Sequence, residues 1–192
     1  MAQDTRKLLI EAAARLLDRG GPAAVTLRDV GKRAGVSHNA PYKHFASKEE
    51  LLAAVASREL SRQSKTMNEV ESGQRAIDLL RALTGDYIRW AMRYPARFKL
   101  TFGAWKHNSA ELGDAASNAR ALLIGIVEKA QAARELPAGN PERMASLLLA
   151  TAHGAADLAL GGHLSAKGKG AADPEDLADD LFALLKARAK SK

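Results

Sequence analysis

An all-α fold follows from three features of this sequence. Apolar residues recur at three- and four-residue steps, no stretch alternates with strand periodicity, and alanine and leucine are abundant. Caps and breaks, among them Gly20-Gly21-Pro22, Gly35, Ser47, residues 69–74, Pro95, Pro137 to Pro141 and the run GGHLSAKGKGAAD, divide the chain into about nine helical stretches. The chain has 192 residues, 46% of them hydrophobic and 27% charged, which describes a soluble globular protein with a substantial core.

In order along the chain, residues 4–19 read as a first helix. Leu8, Leu9, Ala12, Ala13 and Leu16 share its apolar face, and Gly20, Gly21 and Pro22 stop it. Thr26 then caps a short helix with Leu27, Val30 and Ala34 on one face, which Gly35 ends by taking a left-handed backbone. Val36 plugs the turn. Ser37 is placed to cap the next short helix, with Ala40, Phe45 and part of Tyr42 inward and Ser37, His38, Asn39, Tyr42, Lys43 and His44 outward. Two short helices across a glycine turn, the second polar and basic outside, make a helix-turn-helix. Pro41 sits at the edge of that second helix's first turn, deletes a backbone donor and disfavours helical geometry at Ala40, so the helix starts later or with a tighter turn.

Ser47 and Glu50 form a capping box for a fourth helix through Leu51, Leu52 and Val55 toward Met67. Residues 69–74 are the expected hinge. A fifth helix carries Ile77, Leu80, Tyr87, Ile88 and Ala91 and ends before Pro95, which opens a sixth with Phe98, Phe102 and Trp105 in register. A seventh runs from about Leu112 to Arg134 through Ala116, Leu123, Ile126, Val127 and Ala130. An eighth spans Pro141 to Leu160. The glycine-rich stretch 161–173 is a loop, and a ninth helix follows with Leu177, Leu181, Leu184 and Leu185 on one side. The expected domains are residues 1–48 and 49–192.

Charge narrows the function. The net charge is +7, and residues 1–48 hold nine basic groups against four acidic ones, which points to a polyanion as partner. Lys186, Arg188, Lys190 and Lys192 suit the solvated end of a last helix. Lys48 opens the fourth helix, a poor place for a cation unless a phosphate lies nearby; otherwise it is an ordinary exposed lysine. No cysteine is present, which excludes disulfides and thiolate metal sites and suits a reducing cytoplasm. The longest apolar stretch, Leu147 to Leu160, contains His153 and Asp157 and is too short and polar to span a bilayer. No signal peptide is read at the start. Enzyme signatures are absent: there is no H-E-x-x-H, no nucleophile elbow, no dinucleotide fingerprint, and KGKG lacks the spacing of a phosphate loop. A hydrolase would need a buried Ser–His contact, for example around His107 and Ser109. No metal or cofactor is expected.

The run T-L-R-D-V-G-K-R-A-G-V-S-H-N-A-P-Y-K-H-F-A-S-K-E-E-L-L resembles the DNA-binding signature of the TetR family of bacterial transcriptional regulators. Its A-G-V-S, Y-x-H-F and S-K-E-E-L-L pieces fall at that family's spacing. The resemblance implies Arg28, Ser37, His38, Asn39 and Lys43 as base readers and Thr26, Tyr42, His44 and Lys48 as phosphate contacts. Asn39 matches the edge of adenine and Arg28 that of guanine. For His44 the other reading is packing beside Phe45.

The second half resembles the C-terminal domain called WHG, through Y-I-R-W-A-M-R-Y-P-A-R-F-K-L-T-F-G and A-H-G-A-A-D-L-A-L-G-G-H-L. The His153-Gly154 pair is present; the tryptophan expected a turn earlier is not, and Leu149 stands near that place. Such domains enclose a small apolar ligand and dimerise through the last two helices. Tyr87, Trp90, Tyr94, Phe98, Phe102 and Trp105 are the candidate pocket lining, with His107 or His153 as polar anchor; the alternative for each is core packing. Ala152, Gly154, Ala155, Ala156, Ala159 and Gly161, with Leu177, Leu181 and Leu184, suggest a dimer face. The expectation is a cytoplasmic, homodimeric repressor that a ligand releases from operator DNA. The alternative is a constitutive or architectural DNA-binding dimer without an effector.

Overall fold

The computed structural model describes residues 2–69, 74–106 and 108–190, and among these it holds nine α-helices and no strand. They are α1 (Ala2–Gly20), α2 (Leu27–Ala34), α3 (Ala40–His44), α4 (Lys48–Asn68), α5 (Ala76–Arg93), α6 (Pro95–Thr101), α7 (Ala110–Ala132), α8 (Pro141–Leu160) and α9 (Pro174–Lys190), with a 3-10 turn at Pro22–Ala24. No helix among the described residues is long and apolar enough to cross a membrane. Of the expected hinge, residues 70–73 lie outside the described ones.

The chain packs as two compact units, Met1–Arg62 with Tyr94–Ser117, and Gln63–Arg93 with Asn118–Lys192. This cut differs from a boundary at residue 48. Leu51, Leu52 and Val55 of α4 are buried in the same core as Leu9, Ala13 and Leu17 of α1, Val30 of α2 and Phe45, and Ala96, Leu100 and Trp105 pack against it from farther along the chain. Leu8 is exposed, contrary to the face assigned to it, because the inward line of α1 runs through Leu9, Ala13 and Leu17 at four-residue steps.

The second unit is built on α5, α8 and α9, which pack on one another. Ile77, Leu80, Val127, Leu136, Leu148 and Phe182 form its main cluster, and Ile88, Ala152, Ala155, Leu164 and Ala178 a smaller one. Ala152, Ala155 and Ala156 are therefore spent on packing inside the chain. Leu177 and Leu181 also pack on these clusters and Leu185 is buried, so only Leu184 of that leucine set faces solvent. Ala116 on α7 is exposed as well.

Glu135, from the turn after α7, reaches the start of α5. It accepts from the N–H of Ile77 at 2.9 Å and from Arg75 Nε at 2.8 Å. A first-turn backbone donor with no partner inside its helix is satisfied this way. Burial opposes the charge on Glu135, but the bonds from Arg75 and Ile77 outweigh it and hold the carboxyl below its ordinary pKa.

The sixth helix is shorter than its aromatic spacing suggests. It ends at Thr101, Phe102 follows as its C-cap, and Trp105 lies beyond the helix. Gly103 closes the end: its N–H bonds to the carbonyl of Leu100 at 3.3 Å, and a Cβ there would stand 2.8 Å from the carbonyl oxygen of Lys99.

Candidate nucleic-acid interface

The reading head begins at Thr26. Its backbone is extended (φ −127°, ψ 150°) and its hydroxyl oxygen accepts from the N–H of Asp29 at 3.1 Å. The same hydroxyl donates to the Asp29 carboxylate at 2.6 Å, so its proton is already committed. The T-x-x-D spacing is the sequence signal for this reciprocal cap. Gly35 closes α2 in the left-handed region (φ 69°, ψ 29°), with its N–H on Lys32 and that of Val36 on Gly31, 3.2 Å away.

The next helix starts later than a cap at Ser37. The N-cap position is Asn39 (φ −86°, ψ −11°), without a side-chain bond, and the N–H of Ala40 bonds to the carbonyl of Ser37 at 3.0 Å. Pro41 lies in the first turn, where its missing N–H would have had no helical partner. Phe45 ends α3 in extended geometry and is buried, with its N–H on the carbonyl of Pro41 at 2.9 Å.

Pro41 is buried and takes the inward place expected in part for Tyr42. Tyr42 is 53% exposed, in line with its place in the outward set, its ring 6.0 Å from that of His38. Ser37, His38, Asn39 and Lys43 are exposed beside it, Ala40 and His44 are half-buried, and Thr26 and Arg28 are exposed at the start of α2. Lys48 is half-buried at the first position of α4. The cap there is reciprocal: Ser47 accepts from the N–H of Glu50 at 3.1 Å, and Glu50 from that of Ala46 at 2.6 Å.

One support was not visible from spacing. The Arg6 guanidinium lies 5.3 Å from the centre of the Phe45 ring and pairs with Glu111 at 2.5 Å, bracing the end of α3 from α1 and α7. Glu111 is 105 residues from Arg6 in sequence, so no local pattern announces it.

Within the second unit the Tyr87 hydroxyl and His153 Nδ1 stand 2.9 Å apart, and Trp90 lies 5.9 Å from the Tyr87 ring. Burial pushes the Tyr87 phenol well above its ordinary pKa, so it stays protonated in this hydrogen bond. Tyr94, Phe98, Phe102 and Trp105 belong to the first unit. Phe98 is fully buried with Phe102 at 6.1 Å, and Tyr94 stacks under Arg97 at 4.4 Å. His107 lies outside the described residues. Among the described residues no cluster of His, Asp or Glu has the makings of a metal site.

Comparison with known proteins gives two family matches. Residues 9–55 match the model described as bacterial regulatory proteins, tetR family, and residues 80–185 the tetracyclin repressor-like C-terminal domain. The HTH-type transcriptional regulator TtgR of Pseudomonas putida is 40% identical over 76 residues, covering 36% of each chain, so that match spans little more than a third of its length. The HTH-type transcriptional repressor Rv3405c of Mycobacterium tuberculosis is 27% identical over 132 residues, 64% of this chain and 70% of that one. A solved structure of a protein of unknown function from Rhodococcus sp. RHA1 superposes with a TM-score of 0.79 at 29% identity, over 95% of this chain and 94% of the other.

Proposed function

The chain belongs to the TetR family of DNA-binding bacterial regulators, and from that premise we propose that it is a homodimeric, cytoplasmic repressor which a small apolar ligand releases from its operator. The observation that carries this reading is the exposed run Ser37, His38, Asn39, Tyr42 and Lys43 in the turn before α3 and on α3 itself, which buried Pro41 and Phe45 pin from the other side. Such a helix offers donors and acceptors to base edges in the major groove while Thr26, Tyr42, His44 and Lys48 meet phosphate. Arg28 reads from the first turn of α2. Because the Thr26 proton is held by Asp29, Thr26 contacts phosphate through its backbone N–H.

Residues 1–48 act as the reading head and residues 49–192 as the effector and dimer part. An outward line of apolar residues on α8, including Leu147 (46% exposed) and Leu158 (49% exposed), supports a dimer face together with Leu184 of α9. Two heads joined this way reach half-sites one helical turn apart. Within the second unit, the Tyr87–His153 pair with Trp90 beside it supports a polar anchor and an aromatic lining for the ligand. Ligand and DNA favour different spacings of the heads, so each weakens the other by the same factor.

The test is binding to a duplex from upstream of the protein's own gene, across a salt series, with and without extracts of small apolar metabolites. Selective, salt-dependent binding that an extract releases supports the repressor. Selective binding that no extract disturbs supports a constitutive DNA-binding dimer. Equal binding to a scrambled duplex removes the autoregulated operator.

A further inference from the structure

Arg97 is on α6, outside the helix-turn-helix, yet its guanidinium is one of the most buried charges in the first unit. The residue is 7% exposed, and Glu59 on α4 only 2%. Arg97 Nε donates to Asp18 Oδ1 at 2.8 Å and Nη2 to Asp18 Oδ2 at 2.5 Å, a two-pronged grip on the last turns of α1. Its remaining nitrogen, Nη1, donates to Glu59 Oε1 at 3.3 Å, an oxygen that also accepts from Arg58 at 2.8 Å. Two cations and two carboxylates are thus balanced at one point where α1, α4 and α6 meet. The face of the guanidinium is closed by Tyr94.

Such a cluster gives little net stability over an apolar core of the same volume. What a planar fork adds is a fixed direction, because both bonds to Asp18 hold only at one orientation of the two helices. Asp18 is followed closely by Gly20 and Gly21, the latter at φ 66°, and by the Pro22–Ala24 turn that delivers the chain to Thr26. α1 also packs on both α2 and α3. The pose of the end of α1 therefore sets the pose of the reading helices.

We propose that Arg97 is a positioning residue for operator binding, fixing α1 and α4 around the reading head through Asp18 and Glu59 without touching DNA. This rests on the DNA-binding reading above. The test uses the full-length dimer and a duplex selected by the wild type from a random library, with a scrambled duplex as control. Arg97→Lys keeps the charge and loses the fork. The expected result is an unchanged melting temperature and dimer, operator affinity down about tenfold or more, and unchanged affinity for the scrambled duplex. The slope of log affinity against log salt also stays the same, since no phosphate contact is lost.

Unchanged operator affinity overturns the proposal, and so does a slope reduced by about one in Arg97→Gln, which removes the charge that Arg97→Lys keeps, since that would make Arg97 a phosphate contact. Should Arg97→Lys fail to fold, Asp18→Glu, at the partly exposed end of the pair, is read by the same criteria. Loss of folding in both makes the cluster a stability element and overturns the positioning role. A wild type that selects no duplex removes the DNA-binding reading itself; a wild type that selects one while both variants match it removes only this proposal.

Discussion

A Cβ placed on Gly31 would stand 2.8 Å from Cγ of Pro41 and 3.3 Å from its Cδ. The two helices of the reading head thus approach as closely as they do because α2 has no side chain where the proline ring of α3 seats. The ring is locked to its own backbone, so it cannot swing aside. Gly31→Ala is expected to destabilise the head. Overpacking costs about 1–3 kcal/mol, against which a gain in helix propensity of about 1 kcal/mol is smaller. Thermal melting of Gly31→Ala, and of Gly31→Ala with Pro41→Ala, checks this: relief in the double variant assigns the strain to that pair.

Side chains on the outer face should separate by salt dependence. Lys48→Ala is expected to lower affinity for specific and scrambled duplexes alike and to reduce the salt slope by about 0.9. Asn39→Ala is expected to leave the slope intact and cost about 1–3 kcal/mol of discrimination at one base pair. Quantitative binding to a panel of single-base operator variants distinguishes them. A uniform loss for Asn39→Ala would remove it from the base readers.

Leu184 is 70% exposed and has no role in the core of its own chain. Leu184→Asp is expected to leave the helices folded, shift the protein from dimer to monomer in sedimentation, and remove operator binding while sparing weak non-specific binding. A dimer of unchanged mass places the interface elsewhere.

The second unit should lose stability in acid. The hydrogen bond from Arg81, at 2.6 Å, holds the Asp179 carboxyl below its ordinary pKa, and Glu135 is lowered as described. A carboxyl depressed in the folded state adds stability above its unfolded pKa, and that contribution disappears as pH falls through the folded value. Thermal melts from pH 7 downward should show the wild type falling below about pH 4, with Asp179→Asn less steep. Both carboxylates sit in pairs with exposed arginines, so the effect is modest and shrinks with salt. Equal slopes for variant and wild type would remove Asp179 from the acid response.

Much of the head was legible in the order of residues. Thr26, Gly35 and the Ser47–Glu50 box are local devices, in which each residue satisfies a backbone group three or four positions away, and the structure holds them as spacing predicts. The delayed start of α3 was legible too, because proline acts on its own turn. Tyr42 and Lys43 face outward on α3 as expected and Ser37, His38 and Asn39 are exposed in the turn before it, whereas His44, also expected outward, is half-buried.

What spacing cannot express is which distant element covers a given face. Leu8, Leu177 and Leu181 each fit an amphipathic stripe, but Leu8 is exposed while the other two pack on buried clusters. The Tyr87–His153 bond joins residues 66 apart, and the Arg97–Asp18 grip residues 79 apart. The sequence by itself determined the helices and the caps at Thr26, Gly35 and Ser47, since these depend on neighbours within a few residues. Only the tertiary structure decided that residues 94–117 pack with the head and that a buried arginine holds α1 and α4, because burial and ion pairing are set by parts of the chain that meet only when it folds.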